Sequence, residues 1–303
     1  MKLITKTAAT LLAGIATSAL AGPTAYTLSN NGTTLVSFDV DAPGTVNQTA
    51  ISGAANLMGV DFRPLDGQLY GYSDENDSYY TINSTTGVAT LASPSPAAEP
   101  TGVMSGDIDF NPTIDRLRTV NTNRENIVYN PNDGGTTRVT MLAYDAGDEN
   151  EGVIPSIVGN AYTNSFAANN GVAGNTTQYV LDSDLNSLAT LANNTGILDT
   201  IGTLMIDGMM LDFGEDAGFD ILSVDGSSNT AYALLDTGEI GFELFSINLT
   251  TAEATRLGDL QAGLGGLLGL AVAPAVEDVP EPAALGLLGL GLAGLIAARR
   301  RRA

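Results

Sequence analysis

The chain has 303 residues, 44% of them hydrophobic, which is enough to bury a sizeable core. It contains no Cys and no His, which excludes disulfides, Fe–S clusters, thiolate nucleophiles and serine–histidine triads and argues against a zinc hydrolase. Acidic residues number 34 against 12 basic ones, a balance that repels nucleic acid and anionic lipid head groups.

Met1–Ala21 opens with Lys2 and Lys6, continues as an apolar run from Ala8 to Leu20, and ends in Ala19-Leu20-Ala21 before Gly22. A charge, a short apolar helix and small residues for a peptidase pocket are the parts of a secretory signal, so signal peptidase is expected to cut between Ala21 and Gly22. The run is too short to serve well as a membrane span. Between Gly22 and Asp278 the basic residues are 6 arginines against 33 acids, a net charge near −27. Such a surface suits salty or alkaline surroundings and partners that are cationic or neutral.

From Tyr26 to Val272 the sequence repeats. The clearest unit is Leu57–Ala92, in which apolar and polar residues alternate with the period of a half-buried strand. Four short strands are predicted, over Leu57–Arg63, Gln68–Ser73, Tyr79–Asn83 and Val88–Ala92. They are joined by Pro-Leu-Asp-Gly, Asp-Glu-Asn-Asp and Ser-Thr-Thr-Gly turns. Gly106–Val120 with Asn126–Thr140 forms a second copy, Ser156–Leu204 a looser one, and Gly218–Leu234 with Leu244–Leu257 another. Four antiparallel strands per repeat describe a propeller blade.

The ends of this domain predict how it closes. Ala25-Tyr26-Thr27-Leu28 aligns with the second strand of a unit, Leu35–Asp39 with the third and Val46–Ser52 with the fourth, so a first strand is missing. It reappears as Leu267–Val272, which lies over Leu57–Phe62. The expected fold is all-β: a β-propeller-like ring of about five four-stranded blades, spanning 22–273, closed by a C-terminal strand that completes the N-terminal blade. Closure removes open sheet edges. An open solenoid or a sandwich is the alternative.

Three loops concentrate carboxylates: Asp74, Glu75 and Asp77; Asp145, Asp148, Glu149 and Glu151; and Asp212, Glu215 and Asp216. Ca²⁺ takes six to eight oxygen ligands, and the loop with Asp145, Asp148, Glu149 and Glu151 is the best candidate, although none has the register of a twelve-residue calcium loop. Asp61, Asp109 and Asp220 share one repeat position and are expected to satisfy backbone donors or neighbouring blades. No catalytic residue and no cofactor is assigned.

After a linker at 274–278 come Val279, Pro280, Glu281 and Pro282, an uncharged run at 283–298, and then Arg299, Arg300, Arg301 and Arg302. The run is expected to be a short transmembrane helix, with the arginines cytoplasmic and the domain outside. Pro-Glu-Pro, an apolar segment and a terminal arginine cluster resemble the PEP-CTERM sorting signal, occupying 279–303. The resemblance implies recognition by an exosortase, removal of the tail near Pro-Glu-Pro, and delivery to the surface or medium. It also implies a link to exopolysaccharide and biofilm. The repeats resemble domain of unknown function 4394 through Gly59–Pro64 (Gly-x-Asp-Phe-x-Pro) and Tyr79–Gly87. The second motif departs at Thr81, and that family implies no known activity.

The resulting expectation is an exported surface or matrix protein that is anchored transiently in the inner membrane and then sorted. It would bind or build rather than catalyse, with extracellular polysaccharide as the partner. The alternatives are a glycan hydrolase that uses carboxylates at the central mouth, and a Ca²⁺-dependent adhesin.

Overall fold

The computed structural model describes residues 22–73, 75–92, 105–225, 228–238 and 241–273. Residues 1–21 and 274–303 lie outside them, and with them Ala19, Ala21, the sorting motif and the transmembrane segment expected at 283–298.

The N-terminal stretch gives β1 (Thr24–Ser29), β2 (Thr34–Asp39) and β3 (Val46–Ala50). The clearest repeat follows as β4 (Leu57–Phe62), β5 (Leu69–Ser73), β6 (Ser78–Ile82) and β7 (Ala89–Leu91). The next copy is β8 (Gly106–Asn111), β9 (Arg116–Asn121), β10 (Asn126–Tyr129) and β11 (Thr136–Arg138). A two-residue strand, β12 (Ala143–Tyr144), precedes β13 (Ile157–Tyr162), β14 (Gln178–Asp182), β15 (Ser187–Ala192) and β16 (Ile197–Thr203). A small hairpin, β17 (Met205–Ile206) and β18 (Met209–Met210), leads to β19 (Ala217–Asp225), β20 (Ser228–Asp236), β21 (Phe242–Ile247) and β22 (Ala254–Asp259). The last strand is β23 (Leu268–Ala273).

These strands form a five-bladed propeller. Four blades run in chain order from the axis outward, and the blade of β13–β16 adds β12, parallel to β16, as a fifth strand. The remaining blade has the order β23-β1-β2-β3, so the C-terminal strand supplies the innermost position that the N-terminus lacks. Thr24 pairs with Ala273, Ala25 with Val272, Tyr26 with Ala271 and Leu28 with Leu268, with a bulge around Thr27. The Thr27 hydroxyl donates to the Gly269 carbonyl at 2.7 Å, which holds the bulge. The five innermost strands follow one another around the axis as β23, β4, β8, β13 and β19, and β19 lies again against β23.

Alternation explains which residues face the seams. Blades stack face to face, so inner and middle strands are covered on both sides and β4, β5 and β8 are buried almost throughout, while the outer strands β3 and β7 are largely exposed. Each of the five seams carries its own apolar cluster. Leu270, Leu234, Leu244, Val36 and Phe38 fill one of the two seams beside the composite blade. The other holds Leu28, Leu35, Leu57, Val60 and Leu69. The turns explain part of the repeated motif: the Asn83 side chain accepts the N–H groups of Thr85 and Thr86, and Asn248 does the same for Thr250 and Thr251.

Candidate functional site

The inner strands present two layers of residues to the axis. Gly59, Gly159, Gly218 and Gly269 each stand two residues ahead of Asp61, Ala161, Asp220 and Ala271; in β8 the residue two ahead of Asp109 is Asp107. The glycine layer is packed backbone against backbone. A Cβ on Gly218 would lie 2.3 Å from the Gly269 carbonyl carbon, and one on Gly269 would lie 2.8 Å from Gly59 Cα. Gly269 also has φ near +67°, which a side chain would strain. Asp107 fills what the glycines leave open. It is fully buried, and its Oδ1 and Oδ2 accept the N–H groups of Ile108 at 2.9 Å and Phe219 at 3.1 Å. Since Phe219 belongs to the blade of β19, this side chain reaches across the ring.

The next layer reads Asp61, Asp109, Ala161, Asp220, Ala271 around the axis. Asp61 Oδ1 accepts its neighbour's N–H, from Phe62, at 2.7 Å, and Oδ2 accepts the N–H of Phe110 on the following blade, also at 2.7 Å. Asp220 repeats the arrangement with Ile221 at 2.6 Å and Val272 at 2.5 Å. The shared repeat position therefore serves as an interblade stitch, as its recurrence in the sequence suggests. The ring then brings the three side chains together: one oxygen from each of Asp61, Asp109 and Asp220 lies within 4.8 Å of the others. Their exposures are 4%, 1% and 5%.

This crowding disfavours charge. Burial raises the Asp61 carboxyl well above the ordinary carboxylate range, the Asp220 charge adds to the rise, and the Phe110 and Phe62 N–H groups oppose it. Burial likewise raises Asp109, reinforced by Asp61, Asp220 and Asp107. Asp220 is pushed up by burial to about 6, with the Val272 and Ile221 N–H groups pulling the other way.

Above the layer, at the ends of β4, β19 and β23, opens a cavity of about 400 Å³. Asp61 and Asp220 belong to its lining, together with Phe62, Pro64, Phe166, Ile221, Leu222 and Val272. Arg63, on its rim, is held by Asp115 through two bonds (Nε–Oδ1 2.7 Å, Nη2–Oδ2 2.5 Å), by Asp66 at 2.8 Å and by Asn132 at 2.8 Å. That guanidinium is committed to the rim rather than to the carboxylates below.

The profile of the family described as Domain of unknown function (DUF4394) matches residues 34–271. The chain belongs to the DUF4394 family. The PEP-CTERM protein-sorting motif matches residues 278–302 and implies processing by an exosortase and a secreted or cell-surface destination. No curated protein matches the chain. Among solved structures, a chain of a nidogen/laminin complex aligns at 11% identity and a TM-score of 0.47, over 84% of this chain and 99% of that one. A catalytically inactive virginiamycin B lyase from Staphylococcus aureus, solved with quinupristin, aligns at 13% identity and a TM-score of 0.40, over 82% and 78%.

In this DUF4394 chain the Gly-x-Asp-Phe-x-Pro signature is the axial element itself: Gly59 gives close backbone approach, Asp61 stitches the seam, and Phe62 and Pro64 enter the mouth. The loop carboxylates are used otherwise. Asp148 accepts Thr200 N–H at 2.7 Å, Thr200 Oγ1 at 2.8 Å and Asn150 N–H at 2.8 Å, while Glu151 accepts Gly147 N–H at 2.9 Å. Asp145 and Glu149 are exposed. Among the described residues, the group whose carboxylates converge is Asp61, Asp109 and Asp220 rather than this loop. Asp77 binds Tyr72 and Arg138, and Asp212 binds Asn186. Sequence reasoning missed the convergence and the separate role of Asp107; the signal for both was the Asp-x-Asp of β8 set against Gly-x-Asp elsewhere. Gly22 is within the described residues, its N–H donating to Asp39 Oδ2 at 3.0 Å.

Proposed function

We propose that the protein is a non-enzymatic surface or matrix component, linked to exopolysaccharide and biofilm, whose propeller mouth binds a neutral extracellular glycan without turning it over. The observation that carries this reading is the mouth cavity. It is of ligand size, walled by the half-buried rings of Phe62 and Phe166, and floored by carboxylates whose oxygens already serve the blades. The acidic surface favours a neutral polymer over an anionic one.

Export through cleavage after Ala21, and transient anchoring through 283–298, are part of the proposal. The setting of Gly22 supports the first. A Cβ there would stand 2.5 Å from both the Asp39 and Asp41 carboxylates, so the site suits glycine, and an ammonium created by cleavage would gain two anionic neighbours.

A second reading, glycan hydrolysis, is favoured by one observation: Asp220 is pushed up to about 6, within the range of a general acid, and lines the cavity. Incubation with a neutral exopolysaccharide separates the two. Binding predicts saturable retention, no new reducing ends, and a loss of about tenfold or more in affinity for Phe166→Ala. No retention sinks the binding reading. Reducing ends that vanish in Asp220→Asn would establish the hydrolase instead. The intact mass of the protein from its own cells tests the processing: a chain from Gly22 to near Pro280–Pro282 agrees with it, and a membrane-bound chain ending at Ala303 does not.

A further inference from the structure

The axial layer collects acid without a matching base. Among the described residues the ion pairs join Arg63, Arg138 and Arg256 to carboxylates elsewhere, and none reaches Asp61, Asp109 or Asp220. Arg118, the cross-strand partner of Asp109 on β9, directs its donors to Tyr162, Asn194 and Asn126. A second observation concerns Asp109 alone. Its Oδ1 is buried with no hydrogen-bond partner among the described residues, whereas Asp61 and Asp220 have both oxygens bonded to backbone N–H groups. A carboxylate oxygen sealed from water with no donor is costly, and such orphans call for a specific cause.

We propose that Asp61, Asp109 and Asp220 hold a divalent cation of the calcium class on the propeller axis. Three oxygens no more than 4.8 Å apart share a centre at most about 2.8 Å from each, close to the 2.3–2.6 Å reach of calcium. Hard carboxylate oxygens with no nitrogen or sulfur beside them suit calcium, magnesium or manganese. Ala161 and Ala271, at the two remaining positions of the layer, leave room for the ion, and the cavity over Asp61 and Asp220 gives it a path in and lets water complete the shell. The ion ties together the blades of β4, β8 and β19, which sit far apart in sequence. The assignment does not depend on what the mouth cavity binds.

The test uses the full-length protein in detergent, stripped with chelator and then titrated with calcium chloride. Metal content, calorimetry and melting temperature are the readouts. The expected result is one calcium per chain, a higher melting temperature with calcium, and an affinity lower by about 100-fold in Asp109→Asn. Asp148→Asn, in the exposed loop, should bind as the parent does. If Asp109→Asn does not fold, Asp220→Asn takes its place, and the parent protein alone remains decisive. The proposal is overturned if the parent takes up no calcium, magnesium or manganese and melts at one temperature throughout. It is equally overturned if the axial variants bind as tightly as the parent.

Discussion

Replacing Leu270 by Ala tests whether the closing strand carries the whole ring. Leu270 is 1% exposed and packs with Ala25, Val36, Leu234 and Leu244, so the change opens a void in the seam between the composite blade and the blade of β19. Buried Leu→Ala changes cost about 2.7–5 kcal/mol, more where the surroundings cannot collapse. Here the backbone behind the site is already in contact, with Gly218 and Gly269 so close that an added Cβ would overlap. The upper part of the range, about 4 kcal/mol, is therefore expected. For a domain of this size that lowers the melting temperature by roughly 8–16 °C. Urea unfolding gives the free energy, and hydrogen exchange gives its distribution. In a closed ring the amides of β1, β2 and β3 lose protection together with those of β23. If only β23 loses protection and the N-terminal strands keep theirs, the ring is not one cooperative unit and the reasoning fails.

Other outcomes are specific enough to check. Gly218→Ala places a Cβ against the Gly269 backbone and should cost at least as much as Leu270→Ala, whereas Gly67→Ala, with open space around it but φ near +71°, should cost only about 1 kcal/mol; urea midpoints would rank them. Hydrogen bonding to Arg63 holds the Asp115 carboxyl below its ordinary range despite burial. That contribution is present above the unfolded carboxylate pKa and is lost as pH falls through the depressed folded value. Asp115→Asn should therefore be less stable than the parent at pH 7, by about 2–4 kcal/mol, with the gap narrowing below about pH 4. A gap that stays constant with pH would refute the pairing. Tyr79→Phe removes the buried 2.8 Å bond between the Tyr79 and Thr119 hydroxyls while leaving the stack on Tyr129, and should cost about 1–2 kcal/mol by thermal unfolding.

Much of the architecture was legible because propeller strands advertise themselves locally. Alternation placed β4 to β7 within a residue or two, and the unmatched Ala25–Leu28 together with the surplus Leu267–Val272 revealed the closure before any coordinates. What stayed hidden depends on contacts that local pattern does not encode. β12 is two residues long and joins β16 in parallel, which alternation cannot register over so short a run. Asp61, Asp109 and Asp220 were recognisable as one repeat position, but their meeting at the axis follows only when five inner strands close on themselves. The acidic loop is dense in carboxylates, yet Glu151 spends its oxygen on its own turn and Asp148 divides its oxygens between that turn and Thr200 of β16.

The closing strand is also the point at which the chain leaves the domain, and this has a mechanical consequence. Ala273 pairs with Thr24, so tension applied through the C-terminal tail enters β23 before any other strand. It passes into β1 through their register pairs and the Thr27 hydroxyl. A pull on the tail therefore loads the single strand whose withdrawal opens the ring. Resistance to such a pull is set by one inner strand, bonded to a neighbour on one side only, and the other four blades contribute by holding it in place.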